Sequence, residues 1–382
     1  MTGTRNRMKS VAIVGAGRLG TVLGAALRKK GFAVRTIVDK RIAAARESRR
    51  IIGAGVATRD VGRVGAGGAF GARAGAARGA DIIIIAVPDG EIEGVARKLA
   101  RVYGLAGPRG LAGAAEASGV PGKPLGRLAK LAGAPSKAWR GKIVFHTSGV
   151  LTADALAPLH DLGAACASFH PVQSFSRKDL PASHFKGVTI GLEGDARAVR
   201  AGAAIARKLD ARPRVFKGTD KALYHAACSV ASNLLVPLFD TACGLLRESG
   251  IGDREAVEML WPLAEGTLQS VKQLDRASAL TGPISRGDVE TVRRHLRALE
   301  KFPAARKIYR VLGAEALRLA RRRQGFPAAP AAFASPRNKI PPRNLHSADI
   351  NDLWEQIGKE LAAKGVHTSD VEKAIKEVRR RK

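Results

Sequence analysis

The chain has 382 residues, of which 45% are hydrophobic and 26% charged, so it can form two or three domains with a sizeable core. The N-terminal segment has no apolar signal core, and no unbroken run of about 18 apolar residues occurs, which predicts a cytoplasmic protein with no membrane partner. The 65 lysines and arginines outnumber the 33 acidic residues, but they are spread over the whole chain without interleaved aromatic residues, so a nucleic-acid partner is not predicted.

The N-terminal part of the chain has the pattern of a β-α-β unit. Residues 9–15 form a buried apolar run that ends at glycines, residues 18–30 have helical periodicity, and residues 33–38 favour a second strand. The continuous apolar run at residues 81–88, closed by proline, is typical of a central parallel strand covered on both faces. Further strands are predicted at 142–147, 164–169 and 187–192, and further helices at 41–51 and 91–103.

The pattern becomes helical near residue 217. Helices are predicted within residues 219–249, 253–274, 287–300 and 302–323. The Gly- and Pro-rich residues 104–140 are predicted to be an insertion, and residues 326–382 a proline-rich linker with a short, basic helical tail. The predicted fold class is therefore α/β: a Rossmann-type, doubly wound, mainly parallel sheet over residues 8–216, followed by an all-α C-terminal domain over residues 217–325.

A GxGxxG motif, GAGRLG, occupies residues 15–20 between a predicted strand and a predicted helix. In that context the motif binds a dinucleotide, and a purely structural glycine turn is the alternative. The first glycine permits a tight turn, the second lets the diphosphate approach the backbone, and the third lets the helix pack on the strand. The positive end of the helix would face the diphosphate. The predicted cofactor contacts in this loop are Gly15, Gly17, Arg18, Leu19 and Gly20.

Asp39 ends the second predicted strand, where an acid normally accepts hydrogen bonds from the adenosine ribose of NAD. Lys40 and Arg41 follow directly and could instead bind the 2′-phosphate of NADP, or could be ordinary surface charge. Because Arg18 and these two residues outnumber the single acid, NADP is slightly favoured over NAD as the cofactor.

Three further strand ends carry residues suited to ligand binding. Val87 and Pro88 close the third strand at its carboxyl end, where the backbone would run beside the nicotinamide ribose. Ser148, in the sequence HTSG, could hold a substrate carboxylate or carbonyl, or could cap the following turn. His170, after the next strand, could donate a hydrogen bond to substrate, or could be a buried, hydrogen-bonded histidine.

The start of the helical region holds the clearest catalytic pattern. Lys221 and His225 are four residues apart and share a helix face. Both can donate a proton or a hydrogen bond to a carbonyl oxygen that gains negative charge during hydride transfer. Asn233 lies about three turns further along and is either a third member of the site or a packing amide. Arg286, in the sequence TGPISRGD, could clamp a substrate carboxylate or could pair with Asp288.

Six motifs occur in one order along the chain: GAGRLG, AVPDGEI, FHTSGV, SFHPVQSF, KALYHAACSVASNLL and LTGPISRGDVETVRRHL. Over roughly residues 8–323 they resemble the bacterial family that joins a Rossmann-like domain to the domain of unknown function numbered 2520. That family is similar to the 6-phosphogluconate dehydrogenase-like superfamily, which includes ketopantoate reductase and pyrroline-carboxylate reductase. The resemblance implies an NAD(P)-dependent oxidoreductase that is dimeric through its helical domains, with Lys221 at the position of the superfamily's acid. His225 stands where the superfamily has an asparagine, which departs from its pattern.

The resulting hypothesis is reversible hydride transfer between NAD(P)H and a small carbonyl compound or hydroxy acid, such as a ketopantoate-like 2-keto acid. Lys221 would be the general acid and base. His225 would polarise the substrate carbonyl or relay a proton, with Asn233 beside them. Ser148, His170 and Arg286 would position the substrate. The alternative is a non-catalytic dinucleotide sensor or assembly protein. No metal site is predicted, because the three cysteines include no CxxC pair.

Overall fold

The computed structural model describes residues 9–64, 79–104 and 139–323. Apart from its ends, the predicted insertion at residues 104–140 lies outside these ranges, and so does the predicted tail at residues 326–382. The chain divides into two compact units after Pro237. The sequence pattern changes earlier, near residue 217. The helix that begins at Lys221 therefore belongs to the first unit, although its sequence pattern is that of the predicted helical domain.

The first unit is built on one eight-stranded sheet with the order β3-β2-β1-β4-β5-β6-β7-β8. Neighbouring strands are parallel except for β6 and β7, which pair antiparallel. This confirms the predicted Rossmann-type, mainly parallel sheet. The strands are β1 (Ser10–Val14), β2 (Ala33–Val38), β3 (Val56–Thr58), β4 (Ile82–Ile85), β5 (Ile143–His146), β6 (Ala165–Pro171), β7 (Thr189–Gly194) and β8 (Arg212–Val215).

Helices cover both faces of this sheet, which is why its central strands are apolar throughout. The four isoleucines of β4 are each at most 1% exposed. One apolar layer packs α1, α2 and α5 against the sheet, and the other packs α3 and α4. Full burial of each such side chain contributes about 1.5–3 kcal/mol to the stability of the folded state. The helices are α1 (Arg18–Lys29), α2 (Ile42–Ile52), α3 (Asp89–Gly104), α4 (Ala157–His160), α5 (Ala196–Lys208) and α6 (Lys221–Ala231).

Two short strands, β3 and β8, were not predicted. β3 has only three residues, and β8 has the sequence RPRV, with two arginines and a proline. β8 is the edge strand beside β7, where the missing N–H of a proline interrupts no hydrogen-bond ladder on the outer side. An edge strand of this composition carries no apolar signal in the sequence.

The turn from β1 to α1 depends on close backbone contacts. Gly15 has a φ of 104°, in the region that favours glycine, and its N–H donates to the carbonyl of Val38 at 2.8 Å. A Cβ on Gly20 would overlap the carbonyl oxygen of Gly15. Helix α1 can therefore begin this close to β1 only because glycines occupy both positions.

The second unit is helical in its described residues, which confirms the predicted all-α C-terminal region. Gly287, with a φ of 71°, ends the short helix α9, and Asp288 then caps α10 by accepting from the N–H of Thr291 at 3.0 Å. The helices are α7 (Leu235–Glu248), which crosses the boundary between the units, α8 (Asp253–Gln273), α9 (Pro283–Arg286), α10 (Val289–Ala298) and α11 (Pro303–Arg323).

Helices α6 to α8 expose many apolar side chains. Within α8, six large apolar residues are between 42% and 68% exposed: Val257, Met259, Trp261, Leu263, Leu268 and Val271. By length and composition the stretch Lys221–Glu248 is also apolar enough to cross a membrane. Its most apolar 18 residues have a mean hydropathy of 1.4, and 6% of these residues are buried. A turn at residues 232–234 divides this stretch into α6 and α7.

The contact at Gly20 gives a test of the fold. We expect Gly20→Ala to lower the free energy of unfolding by about 1–3 kcal/mol, because the added methyl overlaps a backbone oxygen rather than a flexible side chain. Gly94→Ala in α3 is the matched control. Its Cβ would meet nothing within 4 Å, so we expect it to raise stability by about 0.5–1 kcal/mol. Urea unfolding followed by circular dichroism measures both; equal effects of the two substitutions would contradict this packing.

Candidate functional site

One row of paired residues joins the glycine loop to the candidate catalytic residues. Val14 pairs with Ile85, Ile85 with His146, and His146 with Ser168. Since these strands are parallel, the loops that follow them open on the same edge of the sheet. Three strand spacings separate the glycine loop from Ser168, or about 14 Å. The edge outside the carboxyl ends of parallel strands is where open α/β sheets bind ligands.

The glycine loop, residues 15–20, has the features of a diphosphate cradle. A Cβ built on Gly17 would meet nothing within 4 Å, so the space in front of α1 is open. No side chain caps this N-terminus and its first turn has no acidic residue, which leaves N–H groups available to an anion. Arg18 is exposed at the same end, while Leu19 packs partly against the core. These residues fit the diphosphate of a dinucleotide.

Asp39 turns its carboxylate toward the glycine loop. Its Oδ2 accepts from the backbone N–H of Ala16 at 2.9 Å, and its Oδ1 accepts from the backbone N–H of Arg41 at 2.8 Å. Lys40 Nζ pairs with Glu91 of α3 at 2.7 Å on the surface, so its charge is compensated. The side chain of Arg41 stays 74% exposed, with Nε 3.8 Å from Asp39. The carboxylate thus stabilises the loop, and the side chains of Lys40 and Arg41 both remain accessible, at 73% and 74% exposed.

The end of β4 borders the glycine loop from the other side. Val87 Cγ1 is 3.0 Å from the place where a Cβ of Gly15 would lie. Pro88 is exposed, and its carbonyl accepts from the N–H of Glu91 at 2.8 Å. Val87 therefore contacts the loop directly, whereas Pro88 lies at the surface where α3 begins.

The turn after β5 is organised by His146, which the sequence pattern did not single out. This residue is fully buried; its Nε2 is 2.9 Å from the carbonyl oxygen of Thr152, and its Nδ1 accepts from the N–H of Ser148 at 3.2 Å. Burial lowers the pKa of His146 to about 4, so the ring is neutral at pH 7. Ser148 Oγ accepts from the N–H groups of Val150 and Leu151 at 3.2 and 3.1 Å. Ser148 thus caps this turn as an acceptor, and its contact with substrate stays a prediction.

Lys221 is buried at the start of α6. Asp220 caps the helix by accepting from the N–H of Leu223 at 3.0 Å, which fixes the direction in which the first turn leaves the sheet. Lys221 is only 4% exposed, and its Nζ donates to Ser168 Oγ at 2.9 Å. The lysine predicted as the acid therefore reaches the middle of β6, level with the last residue of β5.

The surroundings of the Lys221 ammonium are mostly aromatic. Its Nζ is 5.9 Å from the ring centroid of Phe216 and 5.6 Å from that of Tyr224. Within the part of the chain that the structure describes, no carboxylate lies within 4 Å of Nζ. Burial lowers the pKa of Lys221, and the charge of Glu193 opposes that shift. The ammonium is therefore held without an ion-pair partner from these residues.

His170 lies at the end of β6 in contact with α6. Its Nδ1 is 2.7 Å from the hydroxyl oxygen of Tyr224. The ring meets those of Tyr224 and His225 edge-on, with centroids 5.6 and 5.7 Å away. Burial, reinforced by the charge of Lys221, lowers the pKa of His170 to about 4. This imidazole is therefore neutral at pH 7.

Gly149 makes room for the two imidazoles. A Cβ on it would overlap His225 Cδ2 and would lie 2.8 Å from His170 Nε2. The structure thus brings together three residues that the sequence offered from separate segments, together with Ser168 and Tyr224, which the pattern did not distinguish. We call this group the Lys221 cluster: Lys221, His225, His170, Tyr224 and Ser168.

Asn233 and Arg286 are the remaining predicted site residues of the helical region. Asn233 is exposed in the turn after α6, so the helix does not carry it on to a third turn beside Lys221. Arg286 is exposed at the end of α9 in the second unit. The alternative pairing of Arg286 with Asp288 does not form within 4 Å among the described residues, because the carboxylate of Asp288 caps α10.

Residues 188–316 match the family model of a domain of unknown function, DUF2520. This match confirms, over that part of the chain, the resemblance inferred from the sequence motifs. No functionally curated protein matches the sequence significantly.

The fold is similar to that of solved bacterial structures. A Bacteroides fragilis protein named as a proposed NADP oxidoreductase aligns with a TM-score of 0.59 and 20% identity, over 81% of this chain and 98% of its own. A Thermotoga maritima protein aligns with a TM-score of 0.55 and 22% identity, over 82% of this chain and 99% of its own. A pyrroline-5-carboxylate reductase from Coxiella burnetii aligns with a TM-score of 0.45 and 14% identity, over 84% and 98%. The first two confirm a Rossmann-like domain followed by a helical region.

Proposed function

We propose that this protein is an NAD(P)-dependent oxidoreductase that interconverts a small carbonyl compound and the corresponding hydroxy compound. The observation that carries the proposal is the buried ammonium of Lys221, held by Ser168 on the same sheet edge as the glycine loop. The name of the similar Bacteroides fragilis structure, a proposed NADP oxidoreductase, supports the same reaction class.

The Lys221 cluster has the groups that proton transfer requires. A nicotinamide bound along this edge would supply or accept the hydride. Lys221 Nζ donates a proton to the substrate oxygen that gains charge during reduction, and it takes the proton back in the reverse reaction. Because burial lowers the pKa of Lys221, its ammonium releases a proton more readily than an exposed lysine does. Ser168 Oγ accepts one of the three Nζ protons and so orients the other two.

The charges in the cluster favour an anionic substrate. The Lys221 ammonium has no carboxylate within 4 Å among the described residues, and the rings of His146 and His170 are neutral. A substrate carboxylate would supply the missing counter-charge where water screens it weakly. We therefore propose a small 2-keto acid or hydroxy acid, of the ketopantoate-like kind, as the substrate.

We propose NADP, rather than NAD, as the cofactor. Both oxygens of the Asp39 carboxylate accept backbone N–H groups, which compensates its charge. Arg41 is exposed at the end of β2, where a cation accommodates a 2′-phosphate, and Arg18 is exposed at the start of α1. Lys40 is also exposed but has a shorter ion pair, with Glu91 at 2.7 Å.

We propose a homodimer formed through the helical region. The apolar residues of α8 lie on several sides of the helix, and a helix of that kind is normally buried in a larger assembly. A second copy offers an equally apolar surface. The stretch Lys221–Glu248 also contains Asp240 and Glu248, and such charges are costly inside a bilayer.

Removing the Lys221 amine tests the reaction. We expect Lys221→Met, which keeps the aliphatic stem, to lower kcat by about 10²–10⁴-fold while NADPH binding stays unchanged. The exposed Lys217 provides the matched control, Lys217→Met.

NADPH oxidation with a panel of 2-keto acids measures turnover. The rate of the wild type should fall as pH rises through the lowered pKa of Lys221, because the reduction needs the protonated amine. Unchanged turnover in Lys221→Met would contradict the assignment; NADPH binding without turnover of any panel member would favour the non-catalytic sensor.

The cofactor preference is tested by nicotinamide fluorescence. We expect NADPH to bind more tightly than NADH, and Arg41→Ala to weaken NADPH binding about tenfold while NADH binding is unchanged, because a charge-assisted hydrogen bond contributes about 1.5–3 kcal/mol. Arg46→Ala, at an exposed arginine of helix α2, which begins directly after Arg41, is the control. Tighter binding of NADH, or equal losses for both cofactors, would contradict the proposal.

Light scattering tests the dimer. We expect a mass of twice the 40.2 kDa chain, and a shift to the monomer in Leu263→Glu, because a carboxylate in an apolar interface loses its hydration. Arg254→Glu, an exposed charged position on the same helix, is the control. A monomeric wild type, or its recovery with phosphatidylcholine vesicles after flotation, would contradict the proposal.

A further inference from the structure

Tyr224 is closely confined beside His170. It follows Lys221 by three residues on α6, and its hydroxyl oxygen is 2.7 Å from His170 Nδ1. Its ring packs on Phe216 with centroids 4.8 Å apart. Gly191 of β7 leaves room for the hydroxyl, since a Cβ there would lie 3.1 Å from it. The phenol is therefore fixed from three sides with its oxygen directed at one ring nitrogen.

The proton between these two side chains has a preferred place. His170 is neutral and carries one N–H, and burial raises the pKa of Tyr224, which keeps its O–H. If His170 Nδ1 carried the proton, it would donate to the Tyr224 oxygen, and the hydroxyl would be left with the neighbouring Cys228 sulfur, a weak acceptor, or with solvent. If Tyr224 donates to Nδ1, the hydroxyl meets the stronger acceptor. The imidazole proton is then on Nε2, because the partner of one ring nitrogen determines the state of the other.

The Nε2 atom of His170 lies on the other side of the ring from Tyr224. It lies over Gly149 beside the ring of His225. No described residue hydrogen-bonds to Nε2, and this nitrogen is not among the polar atoms sealed from solvent. An N–H at this position therefore has no acceptor among the described residues, and a ligand oxygen would supply one.

We propose that Tyr224 is a positioning residue that holds His170 in the Nε2–H form, so that His170 donates a hydrogen bond to a substrate oxygen beside Lys221. This inference rests on the proposed reductase function. It assigns the site two donors of different kinds: a charged one that transfers a proton and a neutral one that orients the carbonyl or carboxylate oxygen. It also gives a role to the tyrosine of the KALYH motif.

The tautomer is measured directly by ¹⁵N NMR of histidine side chains in the full-length protein at pH 7.5, without any ligand. The chain has 8 histidines, and His170→Gln identifies the signals of His170. We expect protonated Nε2 and unprotonated Nδ1 in the wild type, and a mixture of both forms in Tyr224→Phe. Phe keeps the ring that packs on Phe216, so the fold should be retained.

A second tyrosine–histidine pair provides the matched control. Tyr309 OH is 2.9 Å from His295 Nδ1, with the rings at 90°, on the exposed surface of the second unit. Tyr309→Phe should alter the His295 signals and leave those of His170 unchanged. A wild-type His170 protonated at Nδ1, or a tautomer unaffected by Tyr224→Phe, would overturn the proposal.

Kinetics test the consequence for the reaction. With the 2-keto acid that the panel identifies, we expect Tyr224→Phe to lower kcat/KM about tenfold, the loss expected for one misdirected hydrogen bond. His170→Gln, which retains an N–H donor, should keep more activity than His170→Leu and should be insensitive to Tyr224→Phe. An equal loss from Tyr224→Phe in both backgrounds would show a merely structural role. If no 2-keto acid is turned over, the proposed function fails, while the tautomer measurement still decides this inference.

Discussion

The site depends on a lysine ammonium buried against a single hydroxyl. Removing such an ion from water costs several kcal/mol, and a cation–π contact returns only about 0.5–2 kcal/mol. The hydrogen bond to Ser168 and the charge of Glu193 offset part of the remainder. The rest must come from the packing of β6 and α6, which hold Lys221 in place. Costs of this kind concentrate at functional sites, which is why the lysine carries the proposal.

The neighbouring imidazoles make that burial tolerable. A protonated His170 would place a second positive charge beside Lys221, whereas the neutral ring adds none. The burial that keeps His170 neutral therefore also avoids charge repulsion with the Lys221 ammonium. The same holds for His146, whose ring is used on both sides by the turn after β5. Lys221 is thus the positive charge between two neutral imidazoles, which is the basis for proposing an anionic substrate.

The sequence predicts the part of the molecule that local patterns encode. The β1–α1–β2 unit and the i, i+4 relation of Lys221 and His225 follow from glycine spacing and helical periodicity. Strand β8 was not predicted, because an edge strand with Arg212 and Pro213 shows no alternation of apolar residues. The partners of Lys221 could not be predicted, because Ser168 comes from a strand more than fifty residues earlier and only tertiary packing brings it near. Ser148 shows the opposite limit: a hydroxyl at a strand end suits a ligand or a turn equally until its backbone partners are known.

The buried histidines also couple folding to acidity. In an unfolded chain histidine gains a proton near its ordinary pKa of about 6.5, whereas His146 and His170 do so only near pH 4 when folded. Between these values the unfolded chain binds more protons, so stability increases with pH and is lost as the pH falls from 6.5 toward 4. Protonating these rings in place therefore opposes folding, which makes them poorly suited to sensing mild acidification.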